Sequence, residues 1–161
     1  MATGDRDDVA LARRRRRHVG RLLFELSTSF ERESFARLRE MGYSELTQAQ
    51  KQVIVHLPLA GARLTELAAR AGVSKQAMMR LVDGLEVLGY VERVDDPEDL
   101  RAKQVRMTRQ GRRLLDDALT TVSELEAEYI AVLGDKRFER LRSELARLAD
   151  GLGLRMPDPE P

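Results

Sequence analysis

Residues 64–90 read LTELAARAGVSKQAMMRLVDGLEVLGY, and this stretch decides the fold. Thr65 is predicted to cap a short helix, which Gly72 ends in the manner of a glycine just past a helix C-terminus. Ser74 then caps a longer helix over residues 75–88. Two helices joined by a turn of about three to four residues that contains a glycine predict a helix-turn-helix.

The periodicity changes after the second of these helices. Residues 90–94 alternate between apolar and polar side chains, as a strand does, and residues 102–107 alternate again. The intervening residues 95–99 read DDPED, which is typical of a turn. This pattern predicts a β-hairpin directly after the helix-turn-helix, which is the arrangement of a winged helix.

Further helices are predicted on both sides of this unit. Upstream lie a helix over residues 9–40 and a short helix that Thr47 and Gln50 begin as a capping box. Downstream, Thr108 caps a fifth helix and Asp135 a sixth. Three of the helices carry an apolar stripe at helical spacing: Val19, Leu22, Leu23, Leu26 and Phe30 in the first, Leu115, Leu119, Val122, Leu125 or Glu126, and Tyr129 in the fifth, and Phe138, Leu141, Leu145, Leu148 and Leu152 in the sixth. The stripe of the sixth helix repeats like a heptad and favours helix-to-helix packing.

The composition excludes several classes of function. The 161 residues include no cysteine and only two histidines, which excludes disulfides, cysteine nucleophiles and thiolate metal sites and disfavours a histidine-rich one. There is no nucleophile–base pair and no glycine-rich phosphate loop, so we expect no enzyme, no cofactor and no metal. Apolar runs are short and no secretory segment is recognisable, so we expect a cytoplasmic protein without a membrane partner.

The charge is distributed unevenly. The 28 basic and 27 acidic side chains give a net charge of +1, but residues 1–40 and 41–115 carry +3 each and residues 116–161 carry −5. Residues 101–113 hold six basic side chains and no acidic one. Such asymmetry is typical of a nucleic-acid binder with a separate assembly element. Solvated helix faces are the alternative interpretation.

With these motifs the chain resembles the MarR family of winged-helix transcriptional regulators. The resemblance covers about Phe24 to Leu152 and is carried by LTELA (64–68), GVS (72–74), LVDGLE (81–86), LGYV (88–91), DPEDLR (96–101) and VRMTRQG (105–111). Two positions depart from the family. The wing often reads Asp-Arg-Arg, whereas Leu100 precedes Arg101 here, and Met78 and Met79 stand where small or polar residues are common.

The resemblance implies a homodimer that binds a pseudo-palindromic double-stranded DNA operator with its recognition helices about 34 Å apart. The long first helix and the seam of the last one favour a dimer independently, because they carry more apolar surface than a small winged domain covers. The expected fold is mainly α with a small β-hairpin wing, a winged helix-turn-helix with N- and C-terminal dimerisation helices. The domains are predicted as an N-terminal extension and dimerisation helix (1–45), the DNA-binding domain (46–113), C-terminal dimerisation helices (114–155) and a tail (156–161).

The predicted function is a dimeric, sequence-specific transcriptional regulator, in our interpretation a repressor. Its recognition helix would enter the major groove and its wing the minor groove, and a small ligand would release it. The alternative is a winged-helix module for protein–protein interaction or assembly, without a specific operator.

The recognition helix supplies most of the predicted DNA contacts. Ala77, Leu81 and Leu85 are predicted to face the core, which leaves Gln76 and Arg80 to read bases on the opposite face. The alternative for Arg80 is a salt bridge to Asp83 or Glu86. The predicted contacts on this helix are Ser74, Lys75, Gln76, Met79 and Arg80, with Ser74 and Lys75 on a phosphate and Met79 on a thymine methyl or only covering apolar surface.

The wing supplies the remaining predicted DNA contacts. Arg101 matches the family's wing arginine, which implies insertion into a narrow minor groove. Asp99 would hold Arg101 in place, and the alternative is that the two side chains only pair with each other. Lys103 and Arg106 are predicted to contact the DNA backbone.

Ligand sensing rests on the resemblance alone. Many members of the family bind a small anionic or aromatic effector in a cleft between the dimerisation helices and the winged domain. The residues predicted to line it are His18, Arg21, Leu22, Glu25, Lys51, Val55, His56 and Arg113. The alternatives are a partly buried His56 and an ion pair for Arg21. The run Arg13–Arg17 is assigned to solvent or to the partner's acidic helix before DNA, since five consecutive arginines surround a helix.

Overall fold

The computed structural model describes residues 8, 18–97, 99 and 101–154. The elements over residues 18–154 are, in order, α1 (Val19–Glu40), α2 (Gln48–His56), β1 (Ala62–Arg63), α3 (Leu64–Arg70), α4 (Lys75–Val87), β2 (Val91–Asp95), β3 (Lys103–Met107), α5 (Arg109–Leu133) and α6 (Asp135–Gly151). The run Arg13–Arg17, Leu100 and the predicted tail lie outside the described residues.

The helix-turn-helix is α3 and α4, as predicted. Gly72 takes a φ of 64°, the left-handed conformation that ends α3, and Ser74 Oγ accepts a hydrogen bond of 3.1 Å from the Ala77 amide to begin α4. The prediction that Thr65 caps α3 was wrong. The helix begins at Leu64 because β1 leads directly into it, and the extended residue Arg63 takes the N-cap position.

The buried face of α4 is rotated from the predicted face, so that Met78 and Val82 are buried in place of Ala77 and Leu81. Met78, Val82 and Leu85 are buried, whereas Ala77 is exposed and Leu81 lies half-buried at the edge of the core. Burying methionine removes more apolar area from water than burying alanine, and this favours the observed rotation of the helix. Ala77 therefore belongs to the exposed face.

The predicted hairpin is present and has a third strand beside it. Strands β2 and β3 pair antiparallel, with Val91 opposite Met107, and β1 pairs with the other edge of β3 through Ala62 and Val105. The inner face of the sheet contributes Val91, Val105 and Met107 to the core. Strand β1 was not predicted, because two residues are too few to show the alternation of apolar and polar side chains that is typical of a strand.

Helix α5 buries a stripe next to the predicted one. The buried residues are Gly111, Leu114, Ala118, Thr121 and Leu125. Of the predicted stripe, Leu125 is buried, Leu115, Val122 and Tyr129 are half-buried, and Leu119 is exposed. Helix α5 packs on α1, α2 and β3. The predicted cap Asp135 is instead the first residue of α6, and Gly134 occupies the N-cap position.

The outer helices expose most of their predicted apolar stripes. On α1, Val19 is 68% exposed and Leu26 58%, and on α6 Leu148 is 52% exposed. Only Phe138 of the α6 seam is buried. The residue pattern that predicted helix packing is present, but the part of the chain that the structure describes does not cover it.

No helix among residues 18–154 combines the length and apolarity that crossing a bilayer requires.

Gly111 is a sharp test of the packing between α5 and the sheet. An added Cβ would lie 2.0 Å from the Tyr90 carbonyl oxygen, which is backbone. We therefore expect Gly111→Ala to lower the free energy of unfolding by about 1–3 kcal/mol, measured by denaturant titration. Gly151→Ala is the control, because nothing lies within 4 Å of its Cβ. Equal stability of the two variants would contradict this packing.

Candidate nucleic-acid interface

The outward face of α4 carries the predicted base-reading residues. Lys75, Gln76, Met79 and Arg80 are all exposed, and Met79 is 44% exposed. Ser74 is exposed as well, but its hydroxyl already caps the helix. A row of two cations and one amide on an outward helix face is suited to donate hydrogen bonds to base edges and phosphates.

The predicted alternative for Arg80 is not what the structure shows. Asp83 and Glu86 both bind Arg93, which reaches them from β2: its Nη2 lies 2.5 Å from Asp83 Oδ1, and its Nη1 donates to Glu86. Among the described residues, Arg80 forms no salt bridge. Its guanidinium is available to an external anion, since the nearby acids are already bound.

The tip of the wing is a hydrogen-bonded turn. Asp99 Oδ1 accepts a bond of 3.1 Å from the Arg101 backbone N–H, and the Asp99 carbonyl accepts one of 2.8 Å from the Ala102 amide. Asp99 thus fixes the backbone of Arg101, and the described residues include no ion pair between the two side chains. Arg101 is exposed, so its guanidinium is accessible to solvent.

A buried ion pair anchors the base of the wing. Asp96 has an exposure of 1%, and its Oδ2 accepts a hydrogen bond of 2.5 Å from Arg63 Nε. This hydrogen bond raises the pKa of Arg63 above its usual value. Sequence analysis gave Asp96 only a turn role and did not single out Arg63, whose partner comes from a strand that it missed.

The two remaining wing cations differ in accessibility. Lys103 lies on the exposed surface, where its Nζ is 2.5 Å from Asp95 Oδ1 on the paired strand. Arg106 is half-buried and packs over Gly61, where an added Cβ would come within 2.7 Å of Arg106 Cγ. Lys103 can exchange its weak surface pair for a phosphate, whereas Arg106 first has to leave its packing.

Two contacts fix α5 relative to the winged unit and α1. Tyr43 donates a hydrogen bond of 2.5 Å to Asp117, and its burial, together with this bond, raises its pKa to about 12. Arg37 donates to Glu128 at 2.5 Å and to Glu124 at 3.4 Å, and these bonds raise the pKa of Arg37. These contacts hold α5 against α1 and the loop that follows α1.

The residues predicted for an effector are spread over three helices. Arg21 pairs with Glu25 at 2.5 Å, which is the alternative proposed for it, and the predicted partial burial of His56 was wrong because His56 is exposed. His18, Leu22, Val55 and Arg113 are exposed as well. Their role in ligand binding stays a prediction.

Lys51 is the exception among these residues because it is buried, with an exposure of 3%. Its ammonium donates to Ser34 Oγ at 2.5 Å and lies 3.4 Å from Glu31 Oε2, so it ties α2 to α1. A surface depression of about 300 Å³ lies beside this cluster, lined by Ser27, Thr28, Glu31, Arg32 and Gln48. None of the eight predicted residues is among these five.

The described residues contain no group of three or more histidine, aspartate or glutamate side chains placed to hold a metal ion.

Comparison with known proteins shows similarity to one family of regulators. The model of the MarR family matches residues 44–102, the stretch from the start of α2 to the wing tip. The structure of E. coli MarR in its apo form is 25% identical, with a TM-score of 0.69, and the match covers 81% of this chain and 96% of that one. This chain is similar to the MarR family in the sequence of residues 44–102 and in its fold.

Other MarR-family structures match over similar lengths. A regulator of the MarR family from Rhodococcus sp. RHA1 is 28% identical, with a TM-score of 0.65, over 81% of this chain and 93% of that one. A mutant of S. aureus MepR bound to an oligodeoxyribonucleotide is 18% identical, with a TM-score of 0.57, over 84% and 98%. The MepR likeness shows a shared fold. The MarR-family winged helix that the motifs indicated is thus confirmed.

Proposed function

We propose that this chain is a dimeric transcriptional regulator that binds double-stranded DNA sequence-specifically, with α4 in the major groove and the wing in the minor groove. The observation that carries the proposal is the pair of accessible guanidinium groups. Arg80 lies on the outward face of α4 and forms no salt bridge with the other described residues, and Arg101 is exposed at the hydrogen-bonded wing tip. Arginine binds guanine bidentately and is attracted into narrow minor grooves.

The surrounding contacts support the same orientation on DNA. Lys75 and the N-terminus of α4 suit a phosphate, and Gln76 offers an amide to adenine. Lys103 adds an exposed cation along the wing. The fold is compatible with such binding, since MepR, which shares it, was solved with an oligodeoxyribonucleotide.

The dimer is proposed from the two uncovered apolar stripes. Leu22 and Leu26 on α1 and Leu145 and Leu148 on α6 are between 42% and 58% exposed. Contiguous apolar surface of this kind is typical of a protein–protein interface. A two-fold pairing of α1 and α6 would cover the stripes and place two copies of α4 about one DNA turn apart.

We further propose that the protein is a repressor and that a small-molecule effector regulates it. A small anionic or aromatic molecule that binds between α1, α2 and α5 would change the separation of the two α4 helices and so the DNA affinity. Without cysteine, any such sensing cannot use a thiol.

Selection from a pool of random duplexes tests the DNA-binding proposal. We expect the wild-type protein to enrich one pseudo-palindromic sequence. On that sequence, Arg80→Ala and Arg101→Ala should each lose about 1–3 kcal/mol of binding free energy in titrations, because each removes one guanidinium that contacts DNA. Thermal melts should show that both variants stay folded, since neither side chain is buried.

Arg70→Ala is the matched control, since Arg70 is an exposed arginine of the winged unit to which no DNA contact is assigned. If no sequence is enriched, the alternative of a protein–protein interaction module gains. If the wild type binds and Arg101→Ala binds equally well across salt concentrations, the wing assignment is wrong.

A second prediction concerns the dimer. Leu145→Glu places a charge in the α6 stripe, and we expect it to shift the protein from dimer to monomer in sedimentation equilibrium, because an unpaired carboxylate is costly to bury in an interface. Val87→Glu is the control: Val87 is 88% exposed but lies at the end of α4, outside both stripes. A monomeric wild type, or a dimer unaffected by Leu145→Glu, would contradict the assignment.

A further inference from the structure

We propose that Arg93 is a positioning residue that keeps Arg80 free for DNA by holding Asp83. This inference rests on the proposed DNA-binding function. Arg93 itself stands on β2, outside the recognition helix, and none of the predicted contacts included it.

The sequence of α4 places an acidic side chain where it could pair with Arg80 in competition with DNA. Arg80 and Asp83 are three residues apart on one helix, so their side chains are neighbours, and opposite charges at this spacing attract each other. Both side chains lie on the exposed surface of α4. A pair between them would occupy the guanidinium that the proposal assigns to base reading.

Contacts made by Arg93 prevent this pair between Arg80 and Asp83. Arg93 Nη2 lies 2.5 Å from Asp83 Oδ1, and Arg93 Nη1 donates to Glu86, one helical turn further along α4. The planar guanidinium can bind two carboxylates at once, which a lysine ammonium does with less defined geometry. Arg93 therefore holds both acids of α4 towards the wing and away from Arg80.

Arg93 is held more rigidly than Asp83. Arg93 pairs with Val105 in the β2–β3 ladder, and its side chain is only 28% exposed, against 54% for Asp83. The buried Val105 joins this ladder to the core. The more fixed partner determines where the pair sits, so Asp83 follows Arg93. The positive charge of Arg93 also offsets one of two carboxylates that would otherwise repel DNA phosphates.

The experiment compares Arg93→Met with the wild type on the selected duplex. Exposed ion pairs contribute little to stability, so the variant should fold and melt like the wild type. We expect its DNA affinity to fall about tenfold, a loss within the range expected for removing Arg80 itself. Adding Asp83→Asn to Arg93→Met should restore most of the affinity, because the competitor for Arg80 is then neutral.

A double-mutant cycle separates this role from a direct phosphate contact. In an Arg80→Met background, Arg93→Met should have little further effect, because the guanidinium that Arg93 keeps free is absent. Additive losses, or no rescue by Asp83→Asn, would overturn the proposal, as would wild-type affinity of Arg93→Met.

Two further outcomes are distinguishable. If the wild type enriches no duplex, the DNA-binding function fails, and the inference that rests on it fails with it. If Arg93→Met is unstable, the variant Asp83→Asn/Glu86→Gln/Arg93→Met carries the test, since it leaves no carboxylate unpaired. Affinity near that of the wild type is expected for it, and affinity as low as that of Arg80→Met would overturn the proposal.

Discussion

The burial of one face of α4 is the constraint on which the rest of the site depends. Met78, Val82 and Leu85 pack into the core, and Val82 and Leu85 have no exposed surface. A helix that buries this stripe has to present the opposite face to solvent. The cations and the amide of α4 therefore lie on the exposed face.

Charge decides what this outward face can do. The chain is almost neutral overall, and the acids of the winged unit lie close to its cations. In the structure four of these acids bind neighbouring groups: Asp96 holds Arg63, Asp99 holds the Arg101 amide, and Asp83 and Glu86 hold Arg93. The cations without such partners remain at the surface, so a neutral chain presents a basic face.

Local sequence patterns predicted most of the fold. Glycine at position 72, the capping box at Thr47 and the cap at Thr108 each act within a few residues, and the structure confirms them. The errors arose where tertiary packing decides. Ala77 was predicted to face the core, but packing against α4 buries Met78 instead, and β1 forms by pairing with β3.

The same distinction applies to the candidate site. The exposure of Gln76 and Arg80 follows from helical periodicity, so sequence analysis could identify them. Arg93 pairs with Asp83, 10 residues away, and Arg63 pairs with Asp96, 33 residues away. No local sequence pattern indicates either pair. Arg106 is the reverse case. It was predicted to contact the DNA backbone, but its packing over Gly61 leaves its side chain less accessible. Cations are easily recognised in a sequence, but which of them are paired is a property of the folded chain.

Hydroxyl-radical footprinting on the selected duplex tests the central claim most directly. A dimer with α4 in the major groove and Arg101 in the minor groove predicts two protected patches, centred about 34 Å apart on one face of the DNA. It also predicts minor-groove protection at the outer edge of each patch, which Arg101→Ala removes. A single patch, or two patches whose spacing is not a whole number of turns, would contradict the account.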